Sequence, residues 1–360
     1  MEGLEMTPGF WRGKRVFLTG HTGFKGGWMG YWLNELGAEV YGYALGPPTE
    51  PNFFSETRLQ ERLSVSTTGD VLDLNSVTEA LRKAKPDVVI HMAAQSLVRN
   101  AYQKPVETFS TNVMGTLNLL EASRRVGTAK VIINITSDKC YENKEWPWPY
   151  RENDRLGGDD PYSASKACAE IVTAAYRQSF FMQAGIHLAS VRAGNVIGGG
   201  DWASDRLVPD FLRALDTGQT LKIRFPDSVR PWQHVLEPIS GYLLLAERLY
   251  NDGETFAGSW NFGPNDQEAK RVGWVVDQLC ALVPNARWVA EKTSRDPNEA
   301  RVLRVDISKA KDQLGWSPRW TLEKALHKTL EWHQAWLGKE DMGTVCSDQI
   351  KEYVRAKQIG

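Results

Sequence analysis

The sequence predicts an α/β protein, a Rossmann-type doubly wound parallel sheet with a smaller mixed C-terminal domain. Three observations predict this fold. Short apolar runs alternate with longer amphipathic stretches in the first half of the chain, which is typical of parallel strands covered by helices. A glycine-rich turn follows the first apolar run, as in dinucleotide-binding folds. After about Gly198, Gly, Pro and Trp become frequent and the apolar runs shorten.

Five apolar runs are predicted to be strands, over residues 15–19, 39–44, 88–94, 131–136 and 187–192. Apolar residues three or four positions apart predict helices over 28–36, 106–126, 162–181 and 322–337. Gly127 predicts the end of the second helix.

The change in composition divides the chain into predicted units. Residues 1–194 are expected to form the Rossmann domain, with later segments crossing back to it. Residues 195–340 are expected to form the second domain, and residues 341–360 are a polar tail whose structure the sequence leaves open.

Composition excludes several classes of protein. The 43 Lys and Arg against 44 Asp and Glu give a net charge of −1, whereas a general nucleic-acid binder has a basic surplus. The four Cys are widely spaced and the six His show no ligand spacing, so no disulfide framework and no metal site are expected. No apolar run approaches the ~20 residues of a membrane span, and the N-terminus lacks a signal-peptide core. We therefore expect a cytoplasmic protein without membrane or nucleic-acid partners.

The glycine-rich turn has the spacing G-x-x-G-x-x-G at Gly20, Gly23 and Gly26. Glycine lets the backbone turn sharply and approach a pyrophosphate, and the N-terminus of the following helix favours negative charge. This segment, with Phe24 and Lys25, is predicted to bind a dinucleotide. A purely structural strand–helix turn is the alternative.

The charge near the turn favours NAD over NADP. Residues 26–57 contain no Lys or Arg, so a 2′-phosphate would lack a cation. One observation does not support NAD, because the second strand ends without the carboxylate that usually binds the ribose of NAD. Asp70 and Val71, after a further strand, are predicted to hold the adenine, with an ordinary loop as the alternative.

A second motif pairs Tyr162 with Lys166, which share a helix face because they are four residues apart. A phenol titrates near pH ~10, and the neighbouring ammonium of Lys166 together with the nicotinamide cation of NAD⁺ would lower that pKa. Tyr162 is therefore predicted to accept a proton. Ser137 and Asp138 follow a predicted strand, at the edge where open α/β sheets bind ligands.

These motifs identify a resemblance to the nucleotide-sugar 4,6-dehydratases, which are extended short-chain dehydrogenases/reductases. The resemblance covers about residues 12–337. It is carried by the glycine turn and by 91–95, 112–116, 137–138, 162–166 and 192–196. Four further stretches resemble the members that act on CDP-glucose, namely 22–28, 137–141, 198–202 and 230–235.

The resemblance implies a reaction without net redox change. C4 of a hexose is oxidised by NAD⁺, water leaves across C5–C6, and the hydride returns to C6. It implies that Tyr162 is the base for the C4 hydroxyl, with Lys166 as its partner, and that Ser137 hydrogen-bonds the same hydroxyl. It implies that Asp138 protonates the departing C6 oxygen, so Asp138 must begin protonated.

Lys139 departs from the family pattern, in which most members carry Glu as the base for the C5 proton. A charged Lys cannot accept a proton. Either burial and the cofactor ring depress its pKa, or its ammonium stabilises the enolate while another group takes the proton.

The resemblance also implies binding residues. Those for the cofactor are Ala93, Ala94, Gln95 and Asn112, together with Tyr162 and Lys166. Those for the nucleotide-sugar are Gln95, Ser137, Asn195, Arg206, Arg230 and Arg301. A guanidinium suits diphosphate oxygens, although a solvated surface position is the alternative for each arginine. The resemblance further implies a homodimer or homotetramer that pairs through helices 106–126 and 162–182, and a role in 3,6-dideoxyhexose synthesis for lipopolysaccharide.

Three alternatives stay open. The first is a 4,6-dehydratase that acts on another nucleotide-sugar, such as dTDP-glucose or GDP-mannose. The second is a nucleotide-sugar 4-epimerase, although an epimerase needs no acid such as Asp138. The third alternative is an NAD-binding sensor or scaffold, because fold alone does not determine function.

The 14 Trp residues are an excess for this length. One set lies on predicted helices and is expected to pack, namely Trp28, Trp32, Trp332 and Trp336. A second set lies near the predicted cleft, where packing and stacking on the ligand are both open, namely Trp146, Trp148, Trp202 and Trp232.

Overall fold

The computed structural model describes residues 7–291 and 300–359. The strands are β1 (Arg15–Thr19), β2 (Glu39–Ala44), β3 (Val65–Thr68), β4 (Val88–His91), β5 (Val131–Ile135), β6 (His187–Ala193), β7 (Asn195–Ile197), β8 (Leu221–Ile223), β9 (Val229–His234), β10 (Gly258–Phe262), β11 (Ala269–Arg271) and β12 (Trp288–Ala290). The helices are α1 (Phe24–Glu35), α2 (Phe53–Glu56), α3 (Leu74–Ala84), α4 (Val98–Gln103), α5 (Pro105–Phe109), α6 (Gly115–Val126), α7 (Pro161–Tyr176), α8 (Met182–Ala184), α9 (Leu207–Asp216), α10 (Leu236–Asp252), α11 (Val272–Leu282), α12 (Ser308–Leu314), α13 (Leu322–Leu337) and α14 (Met342–Arg355).

The main sheet is parallel and has the strand order β10-β6-β5-β4-β1-β2-β3. The strand order reverses at β1, which lies between β2 and β4. Such sheets bind ligands in the crevice beyond the carboxyl ends of the strands at this reversal. The predicted doubly wound α/β fold is confirmed.

The predicted elements and the observed ones differ at two boundaries near this crevice. β4 ends at His91 rather than at 94, because the N–H groups of Met92 and Ala93 donate to Oγ1 of Thr19 instead of continuing the ladder. α1 begins at Phe24, directly after Gly23, and not at 28. Its first turn contains two glycines, which hide the helical period in the sequence.

Two predicted long helices contain a wider turn. The segment predicted over 106–126 consists of α5, a π-helical turn at Ser110–Met114, and α6. The segment predicted over 162–181 consists of α7 followed by a π-helical turn at Arg177–Phe181. Such turns insert one residue into the helical period, so apolar spacing alone does not reveal them.

The second half of the chain builds two small sheets and then returns to the main one. β9 pairs with β11 and β7, and β8 pairs with β12. β10 extends the main sheet beside β6, and α10 packs against β5 and β6. The three-stranded sheet of β11, β9 and β7 therefore stands next to the carboxyl end of β6, because β7 follows β6 directly.

The C-terminal segment after residue 340 forms a helix that packs on the Rossmann half. The hydroxyl of Tyr31, on α1, donates to the carbonyl of Gly343, on α14, at 2.5 Å. The rings of Trp32 and Tyr353 meet edge to face at 5.6 Å, and Cys346 is fully buried. α14 thus covers the outer face of α1.

The packing role predicted for the first Trp set is confirmed. Trp28, Trp32 and Trp332 are almost fully buried, and Trp336 packs on the same core. Two members of the second set also pack, because Trp202 contacts the Trp332 ring at 5.6 Å and the indole N–H of Trp232 donates to the Lys270 carbonyl. Trp146 and Trp148 remain exposed.

None of the helices in residues 7–291 and 300–359 is long and apolar enough to cross a membrane. The same residues contain no group of three His, Cys, Asp or Glu side chains arranged to hold a metal ion.

Candidate active site

The glycine turn forms a tight cradle at the carboxyl end of β1. Gly20 has φ +74°, and a Cβ there would lie 2.8 Å from the Ala93 nitrogen. A Cβ on Gly26 would lie 2.0 Å from the Gly20 carbonyl oxygen. A Cβ on Gly23 would meet only that oxygen at 3.5 Å. Gly20 and Gly26 are therefore required by packing, whereas Gly23 leaves the N-terminus of α1 open to an approaching group.

The first turn of α1 contributes two further side chains. The Phe24 ring lies against Gly198, where a Cβ would be 3.2 Å from it. Lys25 is partly buried, and its Nζ lies 5.7 Å from the centre of the Tyr242 ring. Burial and the nearby charge of Lys166 lower the pKa of Lys25 to about 7.

The loop after β4 is held by side-chain hydrogen bonds. Oγ1 of Thr19 lies 2.7 Å from Nδ1 of His91, and burial lowers the pKa of His91 to about 3, so this ring is neutral. The Asn112 amide bonds both main-chain groups of Gln95 and also the Ser165 hydroxyl on α7. The loop with Ala93 and Ala94 is thus tied to β1 and α7.

Gln95 and Asn112, predicted as ligand contacts, use their side chains within the protein. The Gln95 amide nitrogen donates to the Leu97 carbonyl and to Thr108, and its oxygen accepts from the Leu97 N–H. These two amides shape the crevice by fixing its wall. Sequence spacing cannot show this, since the same amide would suit a ligand.

The turn at Asp70 and Val71, which is predicted to hold the adenine, is likewise held by hydrogen bonds within the protein. One carboxylate oxygen of Asp70 accepts from the Leu72 N–H at 2.9 Å, which closes its own turn. The Val71 carbonyl accepts from Asn118 on α6, and a Cβ on Gly115 would lie 2.7 Å from the Val71 side chain. This turn is therefore fixed against α6, and the second carboxylate oxygen of Asp70 is not used in closing it.

Ser137, Asp138 and Lys139 occupy the turn directly after β5, where Asp138–Cys140 form one turn of 3₁₀ helix. The Ser137 hydroxyl donates to Oδ1 of Asp138 at 3.0 Å and accepts from the Lys139 N–H. Asp138 is 3% exposed, and among the described residues its Oδ2 has no hydrogen-bond partner. Burial raises the pKa of Asp138, against Lys139, Ser137, Arg230 and Lys25, which lower it.

Tyr162 and Lys166 lie on the first two turns of α7 and are nearly buried. Burial raises the pKa of Tyr162 to about 12, although the Ser137 hydrogen bond lowers it. The protein groups alone thus move this pKa opposite to the expected direction, and the expected lowering needs the positive charge of a nicotinamide ring. Burial also lowers the pKa of Lys166 to about 8, and its Nζ donates to the Ile135 carbonyl at 3.4 Å.

Two predicted arginines stand beside these groups. Arg206 donates to Asp201 at 2.8 Å and to Ser96 at 2.9 Å, and its charge acts on Tyr162. Arg230 is 4% exposed, donates to the Ala300 carbonyl, and acts on Asp138. The structure therefore brings two guanidinium groups close to Tyr162 and Asp138.

The other two predicted substrate residues, Arg301 and Asn195, also lie in the second half of the chain. Arg301 is exposed, and its N–H donates to the Glu145 carboxylate. Asn195 is partly buried and begins β7, opposite Trp232 on β9. The adjacent residues 292–299 lie outside the described residues.

Comparison with known proteins gives one family and a consistent fold. Residues 17–329 match the sequence model of the family described as GDP-mannose 4,6 dehydratase. The chain is 53% identical to the CDP-glucose 4,6-dehydratase of Salmonella typhimurium, over 96% of this chain and 98% of that protein. It is 28% identical to a dTDP-glucose 4,6-dehydratase of Xanthomonas campestris, over 75% of this chain and 79% of that protein.

Solved structures resemble the whole fold. A UDP-glucose-4-epimerase from Stenotrophomonas maltophila with bound NAD superposes with a TM-score of 0.78 at 20% identity, covering 90% of this chain and 99% of that one. The dTDP-glucose 4,6-dehydratase of Bacillus anthracis in complex with NAD gives a TM-score of 0.73 at 20% identity, covering 89% of this chain and 96% of that one. At these identities the likeness establishes the fold.

Proposed function

The chain belongs to the GDP-mannose 4,6-dehydratase family, and from this premise we propose that it is an NAD-dependent CDP-glucose 4,6-dehydratase. Such an enzyme is a hydro-lyase, and its product is CDP-4-keto-6-deoxy-D-glucose. The similarity to the Salmonella enzyme extends over nearly the full length of both chains, and this supports CDP-glucose over the other nucleotide-sugars as the substrate.

The cradle fits NAD. The positive φ of Gly20 and the close approach of Gly26 leave room for backbone alone, and the first N–H groups of α1 favour a pyrophosphate. Asp70 and Val71 form the wall on the adenine side of the proposed site, and Tyr162 and Lys166 the wall on the nicotinamide side. Bound NAD⁺ supplies the redox chemistry at C4 and C6 of the sugar.

The side chains move the protons. Tyr162 accepts the C4 hydroxyl proton, and Ser137 orients the hydroxyl through the same hydrogen-bond network. Asp138 protonates the departing C6 oxygen. Arg206, Arg230, Arg301 and Asn195 bind the diphosphate and ribose of the nucleotide-sugar.

Asp138 is the observation that carries the proposal. It is buried beside Ser137 with a raised pKa, which is the state that a general acid requires. A 4-epimerase removes and returns hydride at C4 and has no use for this acid. A sensor or scaffold has no use for Ser137, Tyr162 and Lys166 together.

Lys139 acts on the C5 proton in this proposal. It follows Asp138 directly and its charge acts on that carboxyl. Loss of the C5 proton leaves negative charge on the enolate oxygen, which an ammonium stabilises. The amine form of the same side chain can accept the proton.

The function is tested with CDP-glucose and no added reductant. The expected product shows the chromophore of a 4-keto sugar in alkali, and deuterium placed at C4 appears at C6. Retention of the label at C4, or formation of an epimer alone, contradicts the proposal. Equal turnover of dTDP-glucose or GDP-mannose would correct the substrate and keep the reaction class.

The matched control for this experiment is Tyr162→Phe. It keeps the ring in its buried place and removes the hydroxyl that accepts the proton. We expect no 4-keto product from this variant while NAD binding is retained. Product formation at the wild-type rate would remove Tyr162 from the mechanism.

We also propose a homo-oligomer. An apolar face lies on α5, the turn after it and α7, where Val106 is 78% and Ile171 58% exposed. The groove between them is lined by Pro105, Phe109, Val113 and Cys168. Large apolar surfaces of this kind mark subunit contacts. We propose that a second copy of the chain covers this apolar face.

The proposed localisation of the enzyme is the cytoplasm. Its product is proposed to be used for the synthesis of the 3,6-dideoxyhexoses of lipopolysaccharide.

A further inference from the structure

A buried ion pair connects the helix of Tyr162 and Lys166 to the strands beneath it. Nη2 of Arg192, on β6, lies 2.8 Å from Oε2 of Glu170, on α7. Each of these side chains is 2% exposed. A buried pair of this kind is retained only with good geometry and further hydrogen bonds, and the proton-transfer roles described above do not use it.

Glu170 has a complete set of donors. Oε1 accepts from the Thr136 hydroxyl at 2.5 Å, and Oε2 accepts from the Ser190 hydroxyl at 2.7 Å as well as from Arg192. Burial opposes the charge of Glu170, but Arg192 and these hydrogen bonds outweigh it and hold the pKa of Glu170 below its ordinary value. The carboxylate is therefore charged.

The donors to Glu170 lead directly to the active-site turn. Thr136 is the residue before Ser137, and its N–H and hydroxyl both reach the Val191 carbonyl on β6. The other end of Arg192 donates to the Tyr141 hydroxyl at 2.8 Å, on the far side of the same turn. Glu170 and Arg192 thus clamp the segment that holds Ser137, Asp138 and Lys139.

Glu170 also lies one helical turn after Lys166, on the same face of α7. Other charged or titratable groups face Lys166 from the packed elements, namely Lys25 on α1, His91 on β4 and Cys140 after β5. His91 is neutral and Lys25 opposes the Lys166 charge. Cys140 would favour the charge of Lys166 only as a thiolate, and burial raises the pKa of this thiol well above its ordinary value, so it is neutral. Glu170 therefore supplies the negative charge that favours the charge of Lys166.

We propose that Glu170 is a positioning residue of the reaction, which clamps the Ser137–Lys139 turn to α7 through Thr136 and supplies the negative charge facing Lys166. The catalytic consequence rests on the proposed function. The effect on Lys166 does not, because it follows from the charge of Glu170 and from its place one helical turn after Lys166 on α7.

The direct test follows the ionisation of Lys166 by NMR of side-chain-labelled lysine, with Lys166→Arg to assign the signal. In the wild type we expect titration near pH 8. In Glu170→Gln, which keeps the shape and loses the charge, we expect the midpoint to fall by about one pH unit. Ser190→Ala, which removes one donor and keeps the charge, should leave the midpoint in place. An unchanged midpoint in folded Glu170→Gln overturns the proposal.

Glu170→Gln leaves Arg192 buried without a counter-charge, which can prevent folding. The paired variant Glu170→Gln with Arg192→Gln removes both charges and answers the same question, because Arg192 does not act on the Lys166 midpoint. It should also titrate about one unit lower. A wild-type midpoint in the paired variant overturns the proposal.

The pH profile of turnover is the second readout. The alkaline limb of kcat, where Lys166 loses its proton, should move down in pH by the same amount in Glu170→Gln and stay in place in Thr136→Val. Thr136→Val should lower kcat by about 10-fold through loss of the clamp. If the wild type makes no 4-keto sugar, the proposed function fails, and the NMR midpoint still decides the role of Glu170.

Discussion

The Ser137 hydroxyl donates to the Asp138 carboxylate at 3.0 Å, and the same hydroxyl lowers the pKa of the Tyr162 phenol. In the proposed reaction, one side chain therefore connects the group that takes a proton from the sugar with the group that gives one back. The two proton transfers of the proposed reaction share a single hydrogen-bond network. Substitution of one residue at a time can separate the two transfers.

Asp138→Asn should stop water loss and leave C4 oxidation intact. Asparagine keeps the shape of the side chain and cannot donate the proton. We expect 4-keto-6-deoxy product to form about 10²- to 10⁴-fold more slowly, while reduced cofactor accumulates on mixing with CDP-glucose. Rapid absorbance measurement of NADH checks this. Asp227→Asn, on an exposed side chain, is the control, and wild-type product formation by Asp138→Asn would exclude its role as the acid.

Substitution of Lys139 distinguishes its two proposed roles. Lys139→Ala should reduce turnover and solvent exchange at C5 by about 10²-fold or more. Lys139→Arg keeps a positive charge that cannot be deprotonated. Retained exchange in the Arg variant indicates enolate stabilisation, and its loss indicates a base. Full turnover with full exchange in Lys139→Ala removes the residue from the C5 step.

Gly26→Ala should disrupt the cradle. Its Cβ would lie 2.0 Å from the Gly20 carbonyl oxygen, which is main chain and cannot rotate away. Overpacking of this kind costs about 1–3 kcal/mol, and we expect a lower Tm together with weaker NAD binding by calorimetry. Gly46→Ala is the matched control, since nothing lies within 4 Å of its Cβ. Equal NAD affinity in the two variants would contradict the tight turn.

His91→Gln should make the protein less sensitive to acid. Burial lowers the pKa of His91 to about 3, whereas an unfolded His titrates near pH ~6.5. Between these values the unfolded chain binds the additional proton, so stability falls as pH falls. From pH 7 to pH 5 the wild type should lose about 2 kcal/mol more free energy of unfolding than the variant. Denaturant titrations at both pH values measure this, with His327→Gln at an exposed site as control. Parallel losses in wild type and His91→Gln would refute it.

Ile171→Glu should dissociate the proposed oligomer. The side chain is exposed in the single chain, so the substitution is tolerated by the fold and places an unpaired carboxylate in the subunit contact. Sedimentation should show monomer for Ile171→Glu and a larger species for the wild type. Val354→Glu, exposed on α14, should behave as the wild type. A monomeric wild type would refute the oligomer itself.

The parts of the fold that the sequence predicted depend on local features. β1 and β2 have the predicted bounds because each is a short stretch that is mostly apolar, and the glycine turn follows from spacing. Tyr162 and Lys166 share a face because a helix dictates it. The relative positions of residues this close along the chain are set by the local secondary structure.

The parts that it did not predict depend on partners far apart in the chain. Thr19 and His91 are 72 residues apart, and Glu170 and Arg192 are 22 apart on different elements. Burial raises the pKa of Tyr162, and this effect was not foreseen because the sequence does not show burial. The predicted lowering of that pKa invoked a nicotinamide cation as well as Lys166, and it stays a prediction. The hydrogen bonds that the Gln95 and Asn112 amides make within the protein also depend on tertiary packing, which the sequence does not show. Their predicted contacts with the ligand stay predictions.

The contact between α1 and α14 bears on the order in which the chain is made. α1 follows the glycine turn and leaves the ribosome first, whereas Gly343, which accepts the Tyr31 hydrogen bond, emerges 312 residues after Tyr31. Until then the outer face of α1, with Tyr31 and Trp32, has no cover from α14. Domains fold from the N-terminus during synthesis, and exposed apolar surface at that stage promotes aggregation. A nascent chain of this protein is therefore a candidate for chaperone capture at α1, the helix whose N-terminus is proposed to bind NAD.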